Sequence, residues 1–93
     1  MSNEAQARSW TWRADRAAGQ RVAIEAAHFA DTEAEAIRVE LAAYYDVLEH
    51  EARATSAAFA AGDIAAIAMH TTTFDAHRSG SGDALLTRVN ACH

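Results

Sequence analysis

Between Ile37 and Phe59 the apolar or tolerant positions Ile37, Leu41, Tyr44, Leu48, Ala52, Thr55 and Phe59 recur in steps of four and three. That spacing lines one face of an α-helix. It is the strongest periodicity in the chain and predicts a helix over 32–61. A stripe this long in so small a protein must be covered along much of its length by another helix, in the same chain or in a second copy, so a long antiparallel hairpin is expected.

The flanking segments supply the partners. Residues 3–29 are helical in propensity, with Gly19 offering a break at a cost of about 1 kcal/mol relative to alanine. At ADTEAEAI the chain stops and restarts. Thr32 followed three residues later by Glu35 has the form of a capping box, and either Asp31 or Thr32 is placed to cap the central helix. AAGD at 60–63 holds a second stop and start, with Gly62 able to take the left-handed conformation and Asp63 able to accept N–H groups of a new helix. That third helix is placed at 63–78, with Ile64, Ile67, Thr71 and Phe74 on one face and weakened by the run Thr71 to Thr73. SGSG at 79–82 reads as a flexible link, and 84–91 as a short final helix burying Leu85, Leu86 and Val89. The expected fold is all-α, a single helical domain over residues 1–93, with three to four helices built around a long antiparallel helical hairpin.

Composition agrees. Alanine supplies 25 of 93 residues and proline none, as in all-helical proteins. All eight basic residues are arginine, which with the alanine excess suggests a GC-rich genome such as that of an actinobacterium or its phage. The net charge of −5 argues against a general affinity for nucleic acid. The charge is uneven, however: residues 1–22 hold four arginines against Glu4 and Asp15, a net of +2, which leaves −7 on the other 71. A lone cysteine, Cys92, excludes an internal disulfide and fits a reducing compartment. No segment resembles a leader or a membrane span, so the expected location is the cytoplasm.

Chemical signatures are sparse. In AAYYDVLEHEARA (42–54), Asp46, Glu49, His50 and Arg53 fall opposite the apolar stripe and are expected to face water, with Glu49 and Arg53 paired across one turn. Glu25 and His28 form E-x-x-H, the spacing at which ferritin-like carboxylate proteins hold paired iron or manganese. With Glu33 across the turn they make the alternative metal site. His70 and His77 share a face but stand two turns apart, too far to chelate one ion, and Cys92 with His93 could bind a stray metal at the terminus. No nucleophile motif or phosphate loop is present, so no catalytic residue is assigned and a non-enzymatic role is favoured.

SWTWRADR (9–16) stands apart. Trp10 and Trp12 point about 200° from each other on a helix, so one small core on one side cannot bury both: either one of them meets a partner, or the first helix lies between two others, with Trp10 facing the second helix and Trp12 the third or fourth. Trp10, Trp12, Arg13 and Arg16 are the side chains most typical of binding hot spots and are taken as the partner-binding set. Alanine fills much of the interior and buries little area per residue, so association would supply missing stability. The sequence therefore points to a small cytosolic interaction module, an adaptor, inhibitor or assembly component, that binds a protein partner or a second copy. The alternatives are a ferritin-like metal-carboxylate protein and an accessory subunit of a larger enzyme.

Overall fold

A computed structural model describes residues 2–91; Cys92 and His93, the terminal metal donors considered above, lie outside the described residues. Three helices follow in order, α1 (Asn3–Ala26), α2 (Thr32–Ala61) and α3 (Ile64–Ala91), with no strand among the described residues. Both predicted turns form, with the caps made by specific groups. Asp31, rather than Thr32, caps α2 by accepting the N–H of Glu33 at 2.9 Å. At the other end Gly62 takes φ 69°, and the N–H groups of Gly62 and Asp63 bond the carbonyls of Phe59 and Ala58. This double closure satisfies orphan carbonyls and requires the left-handed conformation that glycine adopts without steric cost. The Asp63 carboxylate then accepts the N–H of Ala66 at 3.1 Å and starts α3.

The expected hairpin is present twice, since α2 runs antiparallel to both α1 and α3 while the backbones of α1 and α3 nowhere approach within 8 Å. Three axes about 9 Å apart, each with a Cα radius of about 2.3 Å, span about 23 Å, and the Cα extents are 47 × 23 × 16 Å. The helices therefore lie in one row. The row is not flat: the Trp10 ring of α1 meets the Phe74 ring of α3 at 5.0 Å, so the outer helices lean toward each other over one face of α2 and make a trough with α2 as its floor. Trp10, Ala14 and Ala17 from α1, Leu48 and Ala52 from α2 and Phe74 from α3 form the core. Ala14 and Ala52 are fully buried, which lets α1 approach α2 closely.

Polar groups fix the register. Ser56 Oγ donates to the Ala7 carbonyl at 2.8 Å, so the 2.8 Å contact between Thr11 and Ser56 has the threonine hydroxyl as donor. The last turn of α1 carries no basic residue of its own. Arg38 of α2 reaches across to the carbonyls of Ile24 and Glu25, both at 3.4 Å, placing a cation at the negative end of the α1 dipole. Glu35 holds that guanidinium in place, and its own carboxyl is pushed below the usual carboxylate range by the Arg38 hydrogen bond.

Three expectations are corrected. α1 passes through Gly19 without a break and ends at Ala26 rather than 29. The SGSG segment is not a link: α3 is one helix from 64 to 91, and there is no fourth helix among the described residues. Tertiary contacts outweigh the weak propensity, because beyond the glycines Leu85 is buried and Arg88 pairs with Glu40 of α2. Ile64 is not a core residue, being 81% exposed, and Leu86 is exposed as well. The run of threonines is accommodated because Thr71 and Thr73 donate to carbonyls four residues back, at 2.6 and 2.9 Å, which satisfies the hydroxyls within the helix.

One glycine in α3 is required by close approach. A Cβ at Gly82 would lie 2.8 Å from the Tyr44 hydroxyl and 3.2 Å from Tyr44 Cζ, whereas a Cβ at Gly80 would meet nothing within 4 Å. Tyr44 cannot yield freely, since its ring stacks on His77 at 4.9 Å and meets Tyr45 edge-on at 5.0 Å. Gly80→Ala is expected to stabilise the protein by up to about 1 kcal/mol through helix propensity. Gly82→Ala is expected to destabilise it by about 1 to 3 kcal/mol, as overpacking does. Thermal melts of the two variants check the opposite signs.

Candidate functional site

The curl of the row leaves a groove above α2, between α1 and α3, of about 860 Å³. Its floor is Tyr45 and Leu48 of α2. Trp10, Trp12, Arg13, Arg16, Ala17 and Gln20 form the α1 wall, and Thr71, Phe74, Asp75 and Arg78 the α3 wall. All four residues of the sequence-derived binding set thus stand on one wall of one groove.

The two tryptophans divide as the 200° offset requires. Trp10 shares the buried stripe of Ala14 and Ala17 and is 7% exposed; Trp12 is 60% exposed. Trp10 meets Phe74 edge-to-face, with centroids 5.0 Å apart and an interplanar angle of 89°, the arrangement the ring quadrupoles favour. This is the contact by which α1 and α3 touch across the trough, and it closes the bottom of the groove. Arg13 lies over the Trp10 ring with Cζ 4.2 Å from its centroid, and Arg16 over Trp12 at 5.4 Å. Each guanidinium is attracted by the indole face, while its edge N–H donors stay available to a planar acceptor. Arg78 stands on the opposite wall, with Asp75 at 4.0 Å and both side chains exposed.

Sequence reasoning did not find the α3 wall. Phe74 was legible as an apolar position, but Asp75 and Arg78 carry no local signal. Their role follows only from the curl that brings α3 opposite α1.

The 42–54 cluster is partly corrected. Asp46, His50 and Arg53 are exposed, but Glu49 lies in the α1/α2 interface with its side chain 17% exposed. It accepts from Arg21 at 3.1 Å and from Arg53 at 2.9 Å, and Arg53 also reaches Asp15 of α1 at 3.2 Å. Arg21 is three-quarters buried and faces Glu25, Asp46 and Glu49 together. This is a structural network joining α1 to α2. Arg53 chiefly, and then Arg21, lower the Glu49 carboxyl below the usual carboxylate range. A group whose acidity is enhanced by folding contributes stability above its unfolded value of about 4.3, and that contribution disappears as the pH falls through the folded value. Acid should therefore loosen the α1/α2 contact below about pH 4.5, and Glu49→Gln should flatten the acid side of a stability-against-pH curve measured by chemical denaturation.

The E-x-x-H geometry does not form. α1 ends at Ala26, so His28 lies beyond the helix and not on a face with Glu25. Glu25 is held by Arg21 at 3.3 Å, and both His28 and Glu33 are exposed. Among the described residues no group of three or more histidine, cysteine, aspartate or glutamate side chains could hold a metal ion. The two histidines of α3 are engaged with α2: His70 Nδ1 bonds the Glu51 carboxylate at 2.7 Å, and His77 Nε2 donates to the Tyr44 carbonyl at 3.2 Å. No described helix is long and apolar enough to cross a membrane.

No known protein family, no curated protein and no solved structure matches the chain. The groove is accordingly read from its own geometry.

Proposed function

We propose that the protein is a small non-enzymatic interaction module that receives a helix of a protein partner in the groove between α1 and α3, as an adaptor, inhibitor or assembly component does. The observation that carries this is the state of Trp12, a large indole 60% exposed on the rim of an apolar-floored groove, beside two arginines. Tryptophan and arginine flanking a concave apolar surface are where binding energy concentrates, and an amphipathic helix laid in such a groove buries its own stripe against the floor.

The row architecture supports the same reading. The two outer helices cover the central helix on its flanks and leave its upper face, at the partly exposed Tyr45, to the groove. A fourth helix laid along the trough would complete a bundle, the arrangement that closes an apolar interior on all sides. Association of this kind is also what a thin, alanine-rich core calls for.

The test is native mass spectrometry of the tagged chain purified from its own host, as wild type and as Trp12→Ala. A companion chain at fixed stoichiometry with the wild type, and its loss in the variant, is the expected result. Bare monomer from both preparations would contradict the proposal.

A further inference from the structure

We infer that the occupant of this groove is an acidic amphipathic helix of another protein, an inference that rests on the helix-accepting reading above and adds the partner's chemistry. It is drawn from how the arginines are paired. Among the described residues Arg8, Arg21, Arg38, Arg53, Arg78 and Arg88 each have a carboxylate within 4.0 Å. The two that have none are Arg13 and Arg16, and both stand on the same groove wall. The chain carries 13 acidic residues against eight arginines, so carboxylates are abundant, yet none is spent on this pair. The groove is lined by three arginines and one aspartate, a positive strip on a molecule of net charge −5.

Each unpaired guanidinium already has one face on an indole. What remains open is its edge, the fork that matches a carboxylate. Arg13 and Arg16 are three apart on α1, so acidic side chains three or four apart along one flank of an incoming helix would meet them in register. Large apolar residues on its inner stripe would rest on Tyr45 and the exposed face of Trp12.

A second copy fits less well. Two grooves face to face would bring guanidiniums against guanidiniums, and like charges across an interface cost affinity. A copy inserted by a different face would leave its own groove open and propagate into a filament rather than close. A nucleic acid would also present anions, but the groove floor is apolar, and the negative charge elsewhere on the molecule repels a long polyanion.

The probes are two designed peptides of ~18 residues, about five helical turns, lacking tryptophan and sharing one leucine stripe, with flanks of glutamate in one and lysine in the other. Binding to the full chain is followed by tryptophan fluorescence and calorimetry at low salt. The glutamate peptide is expected to bind at least about tenfold tighter than the lysine peptide, with an advantage that shrinks as salt rises. Arg13→Glu with Arg16→Glu should reverse the preference. Arg16→Glu alone, whose ring partner is exposed, keeps the test open if the double variant does not fold.

Equal binding of both peptides, abolished by Trp12→Ala, would overturn the acidic partner while leaving the helix-accepting groove intact. Failure of both peptides to bind on the order of 1 mM, a free energy of only about −4 kcal/mol, would overturn both readings. Tighter binding of a twelve-residue oligothymidine than of the glutamate peptide would overturn the inference in favour of single-stranded nucleic acid. A closed dimer that occupies the groove in sedimentation would overturn it in favour of a second copy.

Discussion

Trp10→Ala is expected to destabilise the protein by about 3 to 5 kcal/mol, the range for removing a large aromatic from a packed interior. The whole stability of a domain this size is only about 5 to 15 kcal/mol, so the variant should be largely unfolded at modest temperature. Trp10 merits this weight because its role is threefold. It fills the space above Ala14 and Ala17, it rests on Leu48 and Ala52 within one cluster, and its edge-to-face contact with Phe74 joins α1 to α3 where their backbones stand apart. A circular-dichroism melt should show a lowered midpoint, and the Phe74→Ala variant should share much of the loss. Because the two rings touch, the double variant should cost less than the sum of the single ones.

Trp12→Ala is expected to behave in the opposite way. An indole 60% exposed contributes little to the folded monomer, and replacement of a surface side chain of this kind typically changes stability by no more than about 0.5 kcal/mol. In the proposed partner complex the same side chain is expected to act as a hot spot, for which truncation costs about 2 to 4 kcal/mol, a loss of about 30-fold or more in affinity. Isothermal titration with the partner, alongside a melt of the free variant, separates the two effects. An unfolded Trp12→Ala protein would place the ring in the core and remove the groove wall as a binding surface. A stable variant with undiminished affinity would move the interface elsewhere.

These opposed outcomes at residues two apart were partly visible in the sequence. The angular offset on a helix shows that Trp10 and Trp12 must separate, and the 10, 14, 17 spacing of small and large apolar residues marks which of them joins α1 to its neighbour. What the pattern cannot supply is the third element. Whether the second indole lies under α3 depends on how far the row curls, and that is fixed by long-range packing of Phe74 and Tyr45 rather than by any local preference. The α2 stripe was legible in full because its spacing is long and regular. Gly62 and Asp63 were legible because the left-handed closure and the carboxylate cap are local chemistry.

The misjudged segments share a cause. SGSG has the propensity of a linker, but the burial of Leu85 and the Arg88–Glu40 pair beyond it carry the helix through, and Gly82 leaves the space that Tyr44 occupies. Glu49 lies opposite the apolar stripe of α2, and a helix packed on one side alone would present it to water. α2 is packed on two flanks, so that position meets Arg21 of α1 instead. Ile64 continues a plausible apolar face, yet it precedes the point where α3 settles on α2 and stays in solvent. In each instance a rule that holds for one helix and one neighbour gives way where the central helix has two.

The most direct measurement is fluorine NMR of the chain labelled with 5-fluorotryptophan, taken dilute and without a partner, while a soluble paramagnetic agent is titrated in. Two resonances are expected, that of Trp12 broadening steeply and that of Trp10 hardly at all, with Trp12→Phe identifying the first. Two resonances equally sheltered in a monomer would mean that the fold covers its own second indole and that no groove wall waits for a partner.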